Sequence, residues 1–301
     1  MDNSVLLVSP SPHVRAKDTT TRIMLDVIIA LCPALVASVI IFGWRALLVV
    51  ATCVATCVVS EWAFQKICKR DLTVGDLSAI VTGMLLAFNL PVGIPLWQAV
   101  VGSVIAIVVV KQLFGGIGKN FANPAITARV VMLLSFAGAM SDFSSDALSS
   151  ATPLSGGQMP SYLNLLLGNH GGSLGETCAL ALVVGGVYLV VRKVITWHTP
   201  VVFVATVFLF TLALGENPVQ HVLTGGLLLG AIFMATDYST TPPTKWGKVI
   251  FGLGCGVITV LIRVFGNYPE GVSFAILFMN ILTPYITTLT RKRPLGGVKS
   301  K

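Results

Sequence analysis

Long apolar runs recur along the whole chain, and this restricts the fold more than any other feature. A helix needs about 20 mostly apolar residues to cross the hydrocarbon core of a bilayer. Hydropathy marks ten segments of this kind, at about 23–42, 46–63, 77–90, 97–113, 124–140, 174–191, 199–215, 221–236, 248–264 and 272–290. Composition agrees. Of 301 residues, 54% are hydrophobic and 11% charged, whereas a soluble domain carries about a quarter charged residues. The predicted fold class is an all-α polytopic membrane protein. The third and eighth segments are short and bounded by Gly or Pro, which suits tilted, broken or partly crossing helices.

Charge orients the chain. With residue 1 on the cytoplasmic side, all of the 20 basic residues except Arg45, Arg129 and Arg263 fall in inside loops. A Lys/Arg excess of this kind marks the cytoplasmic face. The expectation is N-in and C-in, in a bacterial or archaeal cytoplasmic (inner) membrane. The connection at 141–173 is rich in Ser, Gly and Pro, carries Asp142 and Asp146 without Lys or Arg, and is predicted to lie outside. No cleavable signal peptide is expected, because residues 1–22 are polar and lack an apolar core. The net charge of +8 follows the membrane, so no nucleic-acid partner is expected. The six cysteines are scattered. Cys53 and Cys57, one helical turn apart, suit either plain helix packing or a ligand shared with another subunit.

The two halves resemble each other. Val81-Thr82-Gly83-Met84-Leu85-Leu86-Ala87 is similar to Leu223-Thr224-Gly225-Gly226-Leu227-Leu228-Leu229, each in a short segment. Lys111-Gln112-Leu113-Phe114-Gly115 is similar to Arg263-Val264-Phe265-Gly266. Both pairs hold equivalent places in two sets of five segments. Five is odd, so the halves insert with opposite orientation, and inverted repeats place sites at the half–half interface. The chain therefore divides into a cytoplasmic segment (1–22), a first five-helix repeat (23–140), an outer loop (141–173), a second five-helix repeat (174–290) and a basic cytoplasmic tail (291–301).

Two nucleotide motifs fail on inspection. Around Gly118-Lys119 a Walker loop would need Gly where Leu113 stands and Ser or Thr where Asn120 stands. Gly252-x-Gly254 lacks the third Gly of a dinucleotide fingerprint, since Val257 occupies its place. The stretch Gly115–Pro124 reads instead as a Gly-rich entry to a helix, with Asn123 as N-cap and Pro124 at the first helical position; such a helix start can also point N–H groups at an anion. Met234–Pro243 closes the eighth segment as a polar, Pro-stopped end. There Asp237 and the Thr236, Ser239 and Thr240 hydroxyls offer oxygen ligands for a cation, or simply form a turn. Asp26 and Glu61 are the other acids near apolar segments, and acids at membrane depth are functional candidates. Arg129 either pairs with such an acid or with a flavin phosphate, or snorkels to the surface. The histidines show no metal-ligand spacing, and no metal site is assigned.

Asp146-Ala147-Leu148-Ser149-Ser150-Ala151-Thr152 resembles the acceptor sequence on which a flavin transferase attaches FMN to Thr through a phosphoester, with Ser150 where the usual pattern has Gly. Together with Gly118–Ala125, Thr236–Pro242 and the five-plus-five layout, it resembles the D subunits of Rnf-type ion-translocating electron transport complexes, which are paralogous to the B subunits of Na⁺-translocating NADH:quinone reductases. The short stretch before the first segment favours the former. The resemblance implies a translocase subunit, inactive alone, with covalent FMN on Thr152 and other subunits of the complex, a flavin transferase, membrane lipid and Na⁺ or H⁺ as partners. It also implies that electron transfer is coupled to ion movement, and that a second, non-covalent flavin such as riboflavin is bound. Asn120, Asn123 and Arg129 are then candidate flavin-pocket residues, and Thr236, Asp237 and Glu61 candidates for the ion path. A secondary transporter or channel without redox chemistry, or a purely structural subunit, would share the layout but not the acceptor motif.

Overall fold

The computed structural model describes residues 19–142, 161–168, 171–176, 178–266 and 271–291. The acceptor motif, Asp146 to Thr152, lies outside the described residues. Thirteen α-helices are described: α1 (Thr20–Phe42), α2 (Trp44–Ile67), α3 (Ser78–Phe88), α4 (Leu96–Val104), α5 (Pro124–Ser135), α6 (Ala137–Ser141), α7 (Tyr162–Leu167), α8 (Ala179–Val191), α9 (His198–Ala213), α10 (Pro218–Leu223), α11 (Leu227–Leu229), α12 (Lys245–Phe265) and α13 (Gly271–Thr290). Two of them continue as π-helix, α4 over Ile105–Gln112 and α11 over Gly230–Met234. No strand occurs among the described residues.

Four helices, α1, α2, α12 and α13, are long and apolar enough to cross a membrane; α3, α4 with its π extension, α5, α8 and α9 are shorter apolar helices. The protein is an all-α membrane protein, and its outer surface is correspondingly apolar: Ile40, Ile67 and Leu289 are 78–84% exposed. An apolar surface on this scale is what a bilayer covers.

Local chemistry explains the helix limits. Thr19 caps α1 by accepting from the Arg22 N–H. Gly43, at φ +72°, takes the left-handed geometry that separates α1 from α2. As the sequence predicts, Asn123 caps α5, its Oδ1 accepting from Ala125 N and Ile126 N, with Pro124 at the first turn. The fifth segment is not continuous to 140: it breaks at Phe136 and resumes as the short α6. The sixth begins as a helix only at Ala179. The eighth is divided between α10, a pair of left-handed glycines (Gly225 and Gly226), and α11 with its π turn.

Helices pack together within each half of the chain. In the first half α2 packs on α3 and α4, while in the second α9 packs on α12, which also packs on α13. The halves meet first helix to first helix, α1 on α8, and last to last, α5 on α13. Close approach depends on small residues. A Cβ on Gly83 would fall 2.7 Å from the Val54 Cα, so only Gly lets α3 lie against α2. Gly252 and Gly256, on the stretch tested above for a dinucleotide motif, face the Thr199 and Phe203 backbone of α9 instead, the small-xxx-small packing of membrane helices.

Candidate functional site between the two halves

Several residues singled out in the sequence converge on one cleft. Asn120, Asn123, Thr236 and Asp237 line a cavity of about 100 Å³ whose other walls come from α1, α3, Lys111, Leu189 and Phe233. Both halves contribute, at the point where the α5 N-terminus meets the end of the α11 π turn. Asn123, 4% exposed, donates from Nδ2 toward the Met234 carbonyl at 3.5 Å. With its amide oriented to satisfy both partners, Asn280 of α13 accepts from Asn123 N at 3.1 Å and donates to the Thr240 carbonyl at 3.2 Å. Thr283 Oγ1 donates to the same carbonyl at 2.8 Å. The turn carrying Asp237 is thus fixed to α5 and α13 by buried amides. Among the described residues Asn120 Oδ1 is buried without a hydrogen-bond partner.

Asp237 forms a local turn. Its Oδ1 accepts from Ser239 N at 3.3 Å, and its Oδ2 from Ser239 Oγ at 3.1 Å and Thr240 Oγ1 at 3.2 Å. Thr236 Oγ1 donates back to the Ile232 carbonyl at 2.6 Å. The hydroxyl oxygens keep lone pairs, but Ser239 and Thr240 spend their protons on the carboxylate. Loss of water around Asp237 pushes its carboxyl above the usual carboxylate range, against the lowering effect of those donors. Among the described residues Asp237 forms no ion pair. The nearby lysines do not neutralise it: among the described residues Asp237 pairs with neither Lys245 nor Lys248, and Lys248 Nζ donates to Thr196 Oγ1 at 3.0 Å.

Glu61 lies elsewhere, in the first half. It is fully buried and held by Lys111 Nζ at 2.9 and 2.8 Å, by Gln112 Nε2 at 2.8 Å and by Gln65 Nε2 at 3.3 Å. Lys111 also donates to Ser78 Oγ at 2.6 Å. The charge count above treats Lys111 as an inside-loop residue. It is instead 2% exposed, in the π extension of α4. Lys111 touches the cleft and Glu61 does not, so the acid stands behind the ammonium. The sequence does carry a signal for Lys111: a lysine within the apolar run 97–113, at the position Arg263 holds in the second half. Arg263 is also buried, and donates to the His221, Thr224 and Gly225 carbonyls.

Arg129 does not snorkel. At 2% exposed it donates to Asn89 Oδ1 and, at 3.4 Å, to Ser173 Oγ, and it pairs with none of Asp26, Glu61 or Asp237. It does not line the cleft that holds Asn120 and Asn123. Asp26 joins α1 to α8, accepting from Tyr188 Oη at 2.9 Å and from Arg192 at 3.1 Å. Cys53 and Cys57 are 0% exposed, so this chain offers neither to another subunit. Sequence reasoning misses Asn89 and Asn280; their signal is a lone carboxamide at the end of, or inside, an apolar run.

Known proteins resemble the chain along its full length. A family model described as NQR2, RnfD, RnfE matches residues 7–296. The D subunit of the Na⁺-translocating ferredoxin:NAD⁺ oxidoreductase complex of Acetobacterium woodii is 48% identical, over 100% of this chain and 98% of its own length. The D subunit of the proton-translocating complex of Clostridium ljungdahlii is 41% identical, over 97% of each. The D subunit of an ion-translocating oxidoreductase complex from Marinobacter nauticus is 36% identical, over 98% of this chain and 97% of its own length. With a family model and full-length relatives in agreement, the chain belongs to the NQR2, RnfD, RnfE family.

Proposed function

We propose that this chain is the D-type membrane subunit of an ion-translocating ferredoxin:NAD⁺ oxidoreductase complex, carrying covalent FMN on Thr152 and coupling electron transfer to Na⁺ or H⁺ movement. The observation that carries the reading is the near-complete overlap with two D subunits at 48% and 41% identity. The acceptor-like motif and the inter-half cleft support it. The resemblance of Asp146–Thr152 to a flavinylation sequence assigns the attachment. The Thr152 hydroxyl would attack the FMN phosphate of a flavin dinucleotide on the transferase, forming the phosphoester as AMP leaves. Bound there, the flavin supplies one- and two-electron chemistry, and the protein supplies position and polarity.

The two relatives differ in the ion their names carry. The cation site assigned here is Asp237 with the Thr236 hydroxyl, at the Pro-stopped end of the π turn. Helix C-termini carry partial negative charge, and hard cations prefer oxygen shells. Lys111, on the same cleft, has its charge matched by the Glu61 carboxylate behind it. A second flavin ring does not fit the cleft as it stands. The carboxamides of Asn120 and Asn123 suit its polar edge, but about 100 Å³ is below the ~300 Å³ at which small-molecule sites begin. No step is assigned to it.

Mass spectrometry of the intact subunit, with ultraviolet fluorescence of the denatured band, tests the reading. The wild type is expected to carry one FMN, and Thr152→Ala none, with membrane insertion unchanged. A wild-type band of unmodified mass would refute the redox role and favour a passive transporter.

A further inference from the structure

The second half carries an open trough. α1 packs on α2, but their counterparts α8 and α9 barely touch; each rests instead on α11 and its π turn. Between them lies a groove of about 650 Å³, floored by Leu228 and Ile232 and walled by Val187 and Val191 of α8 and Val201 and Phe208 of α9. Val187, Val191 and Val201 are more than half exposed. The lining is apolar from end to end, apart from the indole of Trp197 at one end.

That end is chemically different. Ile195 belongs both to the trough and to an adjoining cavity of about 250 Å³, lined by Lys193, Lys248, Thr196, Thr199 and Asp237. Neither Lys193 nor Lys248 pairs with an acid among the described residues. Asp237, the one carboxylate there, is engaged by Ser239 and Thr240. Two ammonium groups face one carboxylate, leaving a net positive mouth. Trp197, 55% exposed, stands at the junction, as indoles do at the membrane–water boundary.

We propose that this trough is a binding site for an anionic phospholipid, with an acyl chain along α8 and α9 and the phosphate between Lys193 and Lys248. Shape favours a lipid over a helix of another subunit. A helix is 10–12 Å across, and a length matching the ~20 Å of α8 would occupy about 1,600 Å³ or more, so it would ride on the rims and leave the floor empty. An acyl chain is narrow enough to reach Leu228 and Ile232. Charge favours an anionic lipid over a zwitterionic one, because basic pockets between membrane helices select phosphate-bearing anionic head groups.

The test uses the whole complex, purified from its native membrane in mild detergent, with retained phospholipid counted by native mass spectrometry. Phosphatidylglycerol or cardiolipin is expected to survive delipidating washes bound to this subunit. Lys193→Gln with Lys248→Gln is expected to lower that retention by roughly 30-fold, the combined effect of two basic residues near a membrane surface. Ala205→Trp, which fills the trough and leaves both charges, is expected to abolish it. Retention unchanged in either variant would overturn the proposal. So would a photo-crosslinker at position 187 that attaches to another subunit rather than to lipid. If the double variant does not assemble, Ala205→Trp decides alone.

Discussion

Lys111→Met is the substitution whose cost the structure defines best. It removes the ammonium that makes the two nitrogen–oxygen contacts of the ion pair with Glu61, 2.9 and 2.8 Å. Glu61 is fully buried, and among the described residues only the Gln112 and Gln65 amides remain to hold it. Breaking a buried pair by removing one partner costs about 3–5 kcal/mol, because an uncompensated charge is left behind. Replacing both partners with apolar residues of similar volume is often neutral or stabilising. The expected pattern is therefore a loss of about 3–5 kcal/mol for Lys111→Met, with recovery to within about 1 kcal/mol of wild type in the Glu61→Met/Lys111→Met double variant. The assay is denaturation of the purified subunit by SDS titration from mixed micelles, followed by Trp fluorescence. A single-variant loss below about 1 kcal/mol, the range of exposed pairs, would refute the reasoning. A double variant no more stable than the single would refute it equally.

Asp237→Asn keeps shape and removes charge; it is expected to leave assembly and electron transfer intact and to lower ion uptake per electron in vesicles, and uptake at the wild-type level across a range of ion concentrations would exclude Asp237 from the path. Ser150→Gly is expected to hold or raise the FMN occupancy read by mass, since Gly is the usual occupant of that place; a sharp fall would give Ser150 a positive role. Reporter fusions after Ser155 and at Lys301 are expected to report outside and inside respectively, and an inside signal at Ser155 would sink both the topology and an external flavin.

What can be read from the chain divides by the distance over which each feature is determined. The Asn123 cap and Pro124 start are decided within four residues, and both stand where the sequence places them. Asp237 and its hydroxyls also form a local unit, legible as a Pro-stopped polar end. The apolar runs fix where helices lie, but not where they break. Nothing in the composition of 124–140 separates a continuous helix from one interrupted at Phe136.

Partners are the harder problem, because they lie one repeat, or one helix pair, away. A lysine at the end of an apolar run looks the same whether it snorkels to water or turns inward. Lys111 turns inward because Glu61, 50 residues earlier, waits on α2. Arg129 is a fair candidate as a buried charge, and its hydrogen bonds reach the Asn89 carboxamide, 40 residues earlier, and the Ser173 hydroxyl, 44 residues later. The same reasoning bears on the cleft. Asn123 meets the Met234 carbonyl across 111 residues, a contact made where α13 packs on both α5 and the π turn. A π register closes i→i+5 hydrogen bonds in place of i→i+4 and is frequent at functional sites. Of the two charges of the cleft, Lys111 lies within one such segment, and Asp237 stands three residues after the other ends at Met234. The helix irregularities and the ionisable groups therefore belong to one arrangement: the backbone departs from α geometry where it must present a charge at the seam between the halves.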